Sequence, residues 1–400
     1  MQRRPQSESE EEQKVIKVLS DELCYFRSFA RMEETKMCHI EKELEEFREV
    51  EDEMRTLKSD LANAKMELNF YMEKKLLEEE QSKFMHEPLA NRIMNSTGKT
   101  NILFLGVDGL RPDALLLLSN PDFLTSPEPS PLRYCRPVEF NNNKFFENQC
   151  CATRSRSTGT AYTFHMHCDI PVSGPSWATL LTGQSHRVHG VGDNNFKSMK
   201  VRTLFANVKT SKMFASSWDG MRRMCSADVG SYIFHAEADT KTNDERVVSD
   251  TLNFVNTVKE APEITFVYLN HVDRTGHLKG FGPHVPEYMD AVRVSKNQIE
   301  SLLKCVDQRR KKRNEKWIVI LTTDHGGSDR ACMSKSMQHD FDHCTCGQQE
   351  QYSGVHGMEM LLSHRQTFFI VCGDGVRSGE ILPPPLNTDI KAFVHDVIGV

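Results

Sequence analysis

From about residue 10 to residue 84, apolar side chains recur at helical spacing. Ile40, Phe47, Met54, Leu61 and Leu68 stand seven apart, and Val50, Leu57, Ala64 and Tyr71 follow three residues after four of them. A seam of this kind, flanked by charged residues, predicts a long N-terminal helix of coiled-coil type. Glu33, Lys36 and Glu43 interrupt it, which leaves two readings open: an oligomerising or partner-binding coiled coil, and one long solvated helix. Beyond residue 100 the pattern changes. Short continuous apolar runs predict strands at 101–107, 212–217, 264–270, 317–323 and 367–372, and helical periodicity predicts helices at about 176–183, 200–208, 244–259, 286–311 and 388–398. Continuous strands separated by helices point to an α/β fold, a mostly parallel central sheet with helices on both faces. Residues 141–159 are polar and aperiodic and read as an irregular insertion.

Composition sharpens the division. Residues 1–86 carry 15 Lys and Arg against 22 Asp and Glu, whereas the remaining 314 residues carry 35 against 34, so the acidity is local. All 22 glycines lie at or after Gly98, and no proline falls between Pro5 and Pro88. The expected organisation is a charged helical extension over 1–86, a linker over 87–99 and a globular domain over 100–400. No run approaches the ~18 apolar residues of a membrane span, and the N-terminus has no apolar segment of secretory type. The expectation is a cytoplasmic protein without a membrane span, and the Asn95 sequon then has no role. A near-neutral body also lacks the basic patch of a nucleic-acid binder, which leaves catalysis on a small or medium substrate. The 12 cysteines are scattered and are expected to be thiols. Cys332, His339, His343, Cys344 and Cys346 could hold zinc or simply form a polar loop, since C-x-C is not the usual spacing of a zinc site.

Ligands of such sheets collect outside the carboxyl ends of the strands. The run NILFLGV ends at Asp108-Gly109, ITFVYLN leads into His271-Val-Asp273-Arg-Thr-Gly-His277, and WIVILTT ends at Asp324-His325-Gly326-Gly327, with His356-Gly357 in a later loop. Any one of these is ordinarily a cap, a turn former or a satisfied histidine. Together, Asp108, Asp273, His277, Asp324, His325 and His356 supply enough nitrogen and oxygen donors for two zinc-like cations with positions left for substrate. Ser173, ahead of Gly174-Pro175 and a helical stretch, places a hydroxyl where helix N–H groups favour an anionic oxygen. On its own segment it reads as an ordinary N-cap. With a cation nearby it becomes a candidate nucleophile.

Taken in order, Val107-Asp108-Gly109, Ser173-Gly-Pro-Ser-Trp-Ala-Thr-Leu-Leu-Thr-Gly183, Asp273-x-x-Gly-His277, Thr323-Asp324-His325-Gly326 and His356-Gly357 resemble the alkaline phosphatase superfamily. Within it, the likeness is to the type I phosphodiesterase/nucleotide pyrophosphatase branch, over roughly residues 100–400. The resemblance implies an alkaline phosphatase-like domain with two divalent metal ions, taken as Zn2+. Asp108, Ser173, Asp324 and His325 would hold one, and Asp273, His277 and His356 the other, with Ser173 doubling as nucleophile. It further implies hydrolysis of phosphodiester or pyrophosphate bonds through a phosphoserine. The chain departs from that branch in having Ser173 for the usual threonine and Ser176 for an asparagine three residues on, which alters the contact on the oxyanion side. Alternative readings are a phosphomonoesterase, with Arg274 meeting the extra charged oxygen, then a sulfatase-like hydrolase, then a non-catalytic coiled-coil scaffold. Sulfatases differ in an arginine where Trp177 stands. Expected partners are a small or medium phosphate ester and, through the N-terminal helix, a second copy or another protein. Specificity is expected from 133–168 and 219–245.

Overall fold

The computed structural model describes residues 87–95, 100–119, 158–329, 354–359 and 361–400, together with helical positions between 14 and 54. The chain divides into two units, residues 1–68 and 69–400. In the first, 17–28 is helical, and Val15, Leu19, Leu23, Phe26, Phe47, Val50 and Met54 are exposed on helical positions. Of the expected seam, Ile40, Leu57, Leu61, Ala64, Leu68 and Tyr71 lie outside the described residues, as do the insertion over 141–157 and the group Cys332, His339, His343, Cys344 and Cys346. No helix among the described residues is long and apolar enough to cross a membrane.

The second unit is built from strands β1 (Asn101–Val107), β2 (Thr158–His167), β3 (Ser211–Ser216), β4 (Ser231–His235), β5 (Ile264–Leu269), β6 (Trp317–Thr322), β7 (Ser328–Asp329), β8 (Gly354–Val355), β9 (Gln366–Asp374) and β10 (Gly379–Glu380). Eight of them form one sheet in the order β10-β2-β9-β6-β1-β5-β3-β4, while β7 and β8 make a separate antiparallel pair. Within the large sheet only β9 runs against its neighbours, so the expected mostly parallel α/β architecture is present. The continuous apolar runs have a simple cause. Ile102 and Phe104 of β1, Phe266 of β5 and Ile320 of β6 enter one core, and Leu103 and Leu105, Val267 and Leu321 enter another on the opposite face. Both faces are dry, so side chains that alternate in direction need not alternate in polarity.

Helices cover the two faces. On the first lie α1 (Leu89–Ile93), α3 (Ser173–Thr182), α5 (Asp219–Cys225) and α10 (Asp389–Ile398), which contribute Ile93, Trp177, Met221 and Phe393. On the second lie α2 (Pro112–Ser119), α6 (Thr240–Thr257) and α8 (Pro286–Arg313), which contribute Ala114, Val247 and Leu302. The segment read as a linker therefore has a packed part, because Leu89, Ala90 and Ile93 are buried. The helix expected over 200–208 is absent. Its backbone donors go elsewhere, with Leu204 N–H to the Leu181 carbonyl (2.7 Å) and Thr203 N–H to Asp228 (2.6 Å), and Asn207 takes a positive φ of 70° that breaks the helical path. β4 is an edge strand with no fully buried residue, and α7 (His271–Lys279) is polar, which explains why neither carried an apolar signal.

One contact links the core to the strand ends. Trp177 lies edge-on over Tyr268, with ring centroids 5.6 Å apart, and fills the space that Gly106 leaves beside it. A methyl group on Gly106 would come within 2.5 Å of the indole. Gly106→Ala is expected to destabilise the protein by about 1–3 kcal/mol through overpacking. Denaturant unfolding would measure this, and an unchanged midpoint would show that Trp177 can yield.

Candidate active site

Three adjacent parallel strands, in the order β6-β1-β5, end side by side. Immediately beyond them come Asp324-His325, Asp108 and, on the first turn of α7, Asp273. The four-residue step from Asp273 to His277 keeps both on one helix face. His356 follows β8, whose pairing with β7 brings it to the loop that carries His325. Segments far apart in sequence thus supply one cluster. The donor atoms form two groups, Asp108, Asp324 and His325 in one and Asp273, His277 and His356 in the other, each with its atoms within 4.8 Å of one another. Ser173, the first residue of α3, reaches the first group, with its Oγ 3.1 Å from His325 Nε2 and 3.5 Å from Asp108 Oδ1. The two groups adjoin, since the rings of His325 and His356 stack with centroids 3.9 Å apart.

The loop after β1 must be glycine at 109, where φ is 63° and an added Cβ would lie 2.7 Å from Asp273 Oδ1. Tyr288 of α8 fastens that loop by donating to the Gly109 carbonyl (2.7 Å) and accepting from Arg111 N–H (3.0 Å). Asp108 is held from the other side. Trp177 Nε1 donates to its Oδ2 at 3.1 Å and the Tyr268 hydroxyl donates to the same oxygen. Asp244 of α6 accepts from the Asn270 and His271 N–H groups (3.1 and 3.0 Å) and so anchors the start of α7. His364 takes the Met358 N–H at Nδ1 (3.2 Å) and meets Ser328 Oγ at Nε2 (2.8 Å), tying the His356 loop to β7.

The polarity of the cluster suits a cation. His325 Nδ1 lies 2.8 Å from the Gly326 carbonyl and His356 Nδ1 2.8 Å from that of Pro171. A carbonyl can only accept, so each Nδ1 carries a proton, and in a neutral ring Nε2 is left with its lone pair. His356 Nε2 nevertheless faces His277 Nε2 at 3.0 Å, and His325 Nε2 faces Asp324 Oδ2 at 3.3 Å and Asp108 Oδ1 at 3.4 Å. Asp273 Oδ1 and Asp324 Oδ2 are buried and accept no hydrogen bond. Burial, with Asp108 next to it, pushes the Asp273 carboxyl up to about 8. Burial, then Asp108 and Asp273, carries Asp324 well above the usual carboxylate range. Burial, and the neighbouring His325 and His277, hold His356 neutral. Acceptors crowded on acceptors suit a divalent ion in each group, and the carboxylate and imidazole donors are of the right chemistry.

All seven residues singled out in the sequence meet here. Ser176 does not face the cluster, because its Oγ donates to the Asp324 carbonyl at 2.6 Å. Arg274 is exposed on α7, and its charge draws the Asp273 carboxyl downward, against the larger upward push of burial. Trp177, Tyr268, Asp244 and His364 escaped the sequence reading. Nothing in the sequence distinguishes an aromatic that hydrogen-bonds a ligand from one that fills the core.

Residues 197–344 match the family of type I phosphodiesterase / nucleotide pyrophosphatase. That segment includes Asp273, His277, Asp324 and His325. A comparison with curated protein sequences finds no match. The fold is that of murine ectonucleotide pyrophosphatase / phosphodiesterase 5 in an inactive form in complex with AMP. That structure has a TM-score of 0.51 and 14% identity, over 76% of this chain and 96% of that one. A second structure of the murine protein (TM-score 0.49, 14% identity, 75% of this chain and 95% of that one) and one of the human protein (TM-score 0.47, 13%, 75% and 95%) are also similar. The expected resemblance to a phosphodiesterase/nucleotide pyrophosphatase-like hydrolase is borne out.

Loading the cluster should stabilise the fold. Each divalent ion bound at roughly 100 times its dissociation constant adds about 2.7 kcal/mol. Chelator-treated protein is therefore expected to melt higher when Zn2+ or Mn2+ is added, and His356→Ala should lose part of the gain. A melting temperature indifferent to every divalent ion would show that these donors hold none.

Proposed function

We propose that this phosphodiesterase/nucleotide pyrophosphatase-like chain hydrolyses phosphodiester or pyrophosphate bonds, with Ser173 as the nucleophile. The observation that carries the reading is the position of Ser173 Oγ, within 3.5 Å of both a carboxylate and an imidazole of one donor group, at the start of a ten-residue helix. Asp108, Ser173, Asp324 and His325 would hold one ion, and Asp273, His277 and His356 the other, with Zn2+ the best match to the donors. When bound, such ions lower the cost of ionising the serine hydroxyl and offset charge on the phosphoryl oxygens.

Ser173 Oγ, its proton released to solvent, attacks phosphorus in line. The new P–O bond to serine forms as the bond to the leaving alcohol or phosphate breaks, giving a phosphoserine. Water, giving up a proton, then attacks from the side the leaving group vacated, the bond to Ser173 breaks, and the serine oxygen takes up a proton. Two inversions leave the configuration at phosphorus retained. The serine is 5% exposed, so attack requires the substrate to enter the cluster rather than rest on the surface. Trp177 and Tyr268 keep Asp108 pointed at the serine throughout, since both donate to the far oxygen of that carboxylate.

The diester reading rests on the family match and on a fold shared with a nucleotide pyrophosphatase/phosphodiesterase. Turnover of bis-p-nitrophenyl phosphate, thymidine 5′-monophosphate p-nitrophenyl ester and p-nitrophenyl phosphate is the test. The two diesters should be preferred, and Ser173→Ala should abolish turnover while metal content stays largely intact. A clear preference for the monoester would overturn the diester assignment, and an active Ser173→Ala would overturn the nucleophile.

A further inference from the structure

Four parallel strands, β3, β5, β1 and β6, lie side by side and begin at one end of the sheet, opposite the candidate active site. A six-residue strand is about 20 Å long, so the two ends are well separated. The turns that lead into β3, β5 and β6 meet the last turn of α8 at this far end. Lys209 N–H donates to Glu263 (2.8 Å), Ile264 N–H to the Thr210 carbonyl (3.3 Å), Asn101 N–H to the Lys316 carbonyl (2.9 Å) and the Arg313 guanidinium to the Lys259 carbonyl.

The body as a whole is near neutral, but here the two signs are sorted by depth. The acids are drawn inward. Glu315 accepts from Arg309 (2.6 and 2.8 Å) and from the Trp317 indole (3.0 Å), and Asp374 accepts from Arg310 (2.6 Å) and Trp317 N–H (2.9 Å). Glu263 is spent on Lys209 N–H. Lys209, Lys259, Lys312, Arg313 and Lys316 are left exposed, and Glu260 is the one exposed acid among the described residues of these turns.

Cations at the carboxyl end of a helix complement its dipole, which accounts for Lys312 and Arg313. It does not account for Lys209, Lys259 and Lys316, each carried by a turn ahead of a strand. Together the five side chains span the sheet from β3 to β6, three strand spacings or about 15 Å. An array of one sign spread in two dimensions meets a plane better than a single rod or a pocket. Four of the five are lysines, hydrated point charges without the fork that arginine offers to an individual phosphate. These turns also hold no aromatic residue on which a base could stack.

We propose that this face docks on an anionic membrane surface, with the lysines among the lipid headgroups and the candidate active site turned toward water. A basic cluster of this size holds a protein reversibly at acidic lipid, through an attraction that salt screens. The proposal goes beyond the hydrolase reading and does not rest on it.

Flotation of the full chain with vesicles of phosphatidylserine and phosphatidylcholine, against vesicles of phosphatidylcholine alone, is the test. At about 0.1 M salt the chain is expected to float with the mixed vesicles and not with the neutral ones, and about 0.5 M salt should release it. Reversing Lys209→Glu, Lys259→Glu and Lys316→Glu together should weaken binding at least roughly tenfold while melting temperature and turnover of the thymidine ester stay as in the wild type. Reversing Lys197→Glu, Lys241→Glu and Lys279→Glu, also exposed but outside these turns, makes the same change in net charge and should weaken it less than about threefold. The proposal is overturned if the wild type floats with neither vesicle, if it floats equally with both, or if the second triple variant loses as much as the first. A random-sequence duplex DNA that binds more tightly than the mixed vesicles at the same salt would assign the face to nucleic acid and overturn it as well.

Discussion

Acceptors gathered together in a buried cluster are the constraint on which this molecule is organised. Asp108 and Asp324 are 1% and 0% exposed, Asp273 is 8% exposed, and the lone pairs of His277, His325 and His356 point among them. An unpaired buried carboxylate is costly, and other carboxylates near it raise the cost. The surrounding structure does not neutralise them. It spends its donors, Trp177, Tyr268 and Gly109 N–H, on the outer oxygens, lets two backbone carbonyls accept from the Nδ1 atoms, and leaves the inner atoms bare. Donor sets oriented from behind and left empty in front are what cation binding requires.

The site was more legible in the sequence than the fold around it. Strand runs such as NILFLGV and WIVILTT announce themselves because both faces of the sheet are covered, and a residue following such a run has only one place to go. Asp108, Asp273 and Asp324 could therefore be assembled from one-dimensional information. His356 was joined to them as one more imidazole in a later loop, but the two-residue pairing of β7 with β8 that carries it to the site leaves no pattern to read. β2 was missed, lying wholly within the stretch 133–168 that read as irregular, and α7 was hidden because its residues are polar rather than apolar on one face. The segment 200–208 misled for the opposite reason. It has helical spacing, but its N–H groups are drawn to Leu181 and Asp228.

The same contrast governs the serine. Its neighbours at 174 and 175 are fixed by geometry, glycine because a loop presses on it and proline because the first turn of a helix tolerates one. Position 176 serves the neighbouring Asp324 loop instead of the substrate. A Trp at 177 rather than an arginine also bears on the sulfatase alternative. The indole spans from the core to Asp108, adding one neutral donor and no positive charge to a site already short of it.

Anomalous diffraction at the zinc edge from crystals of zinc-loaded protein tests the central claim most directly. Two peaks are expected in each chain, one among Asp108, Asp324 and His325 beside Ser173, the other among Asp273, His277 and His356. Density without any peak at these donors, in protein that still turns over a phosphodiester, would contradict the account.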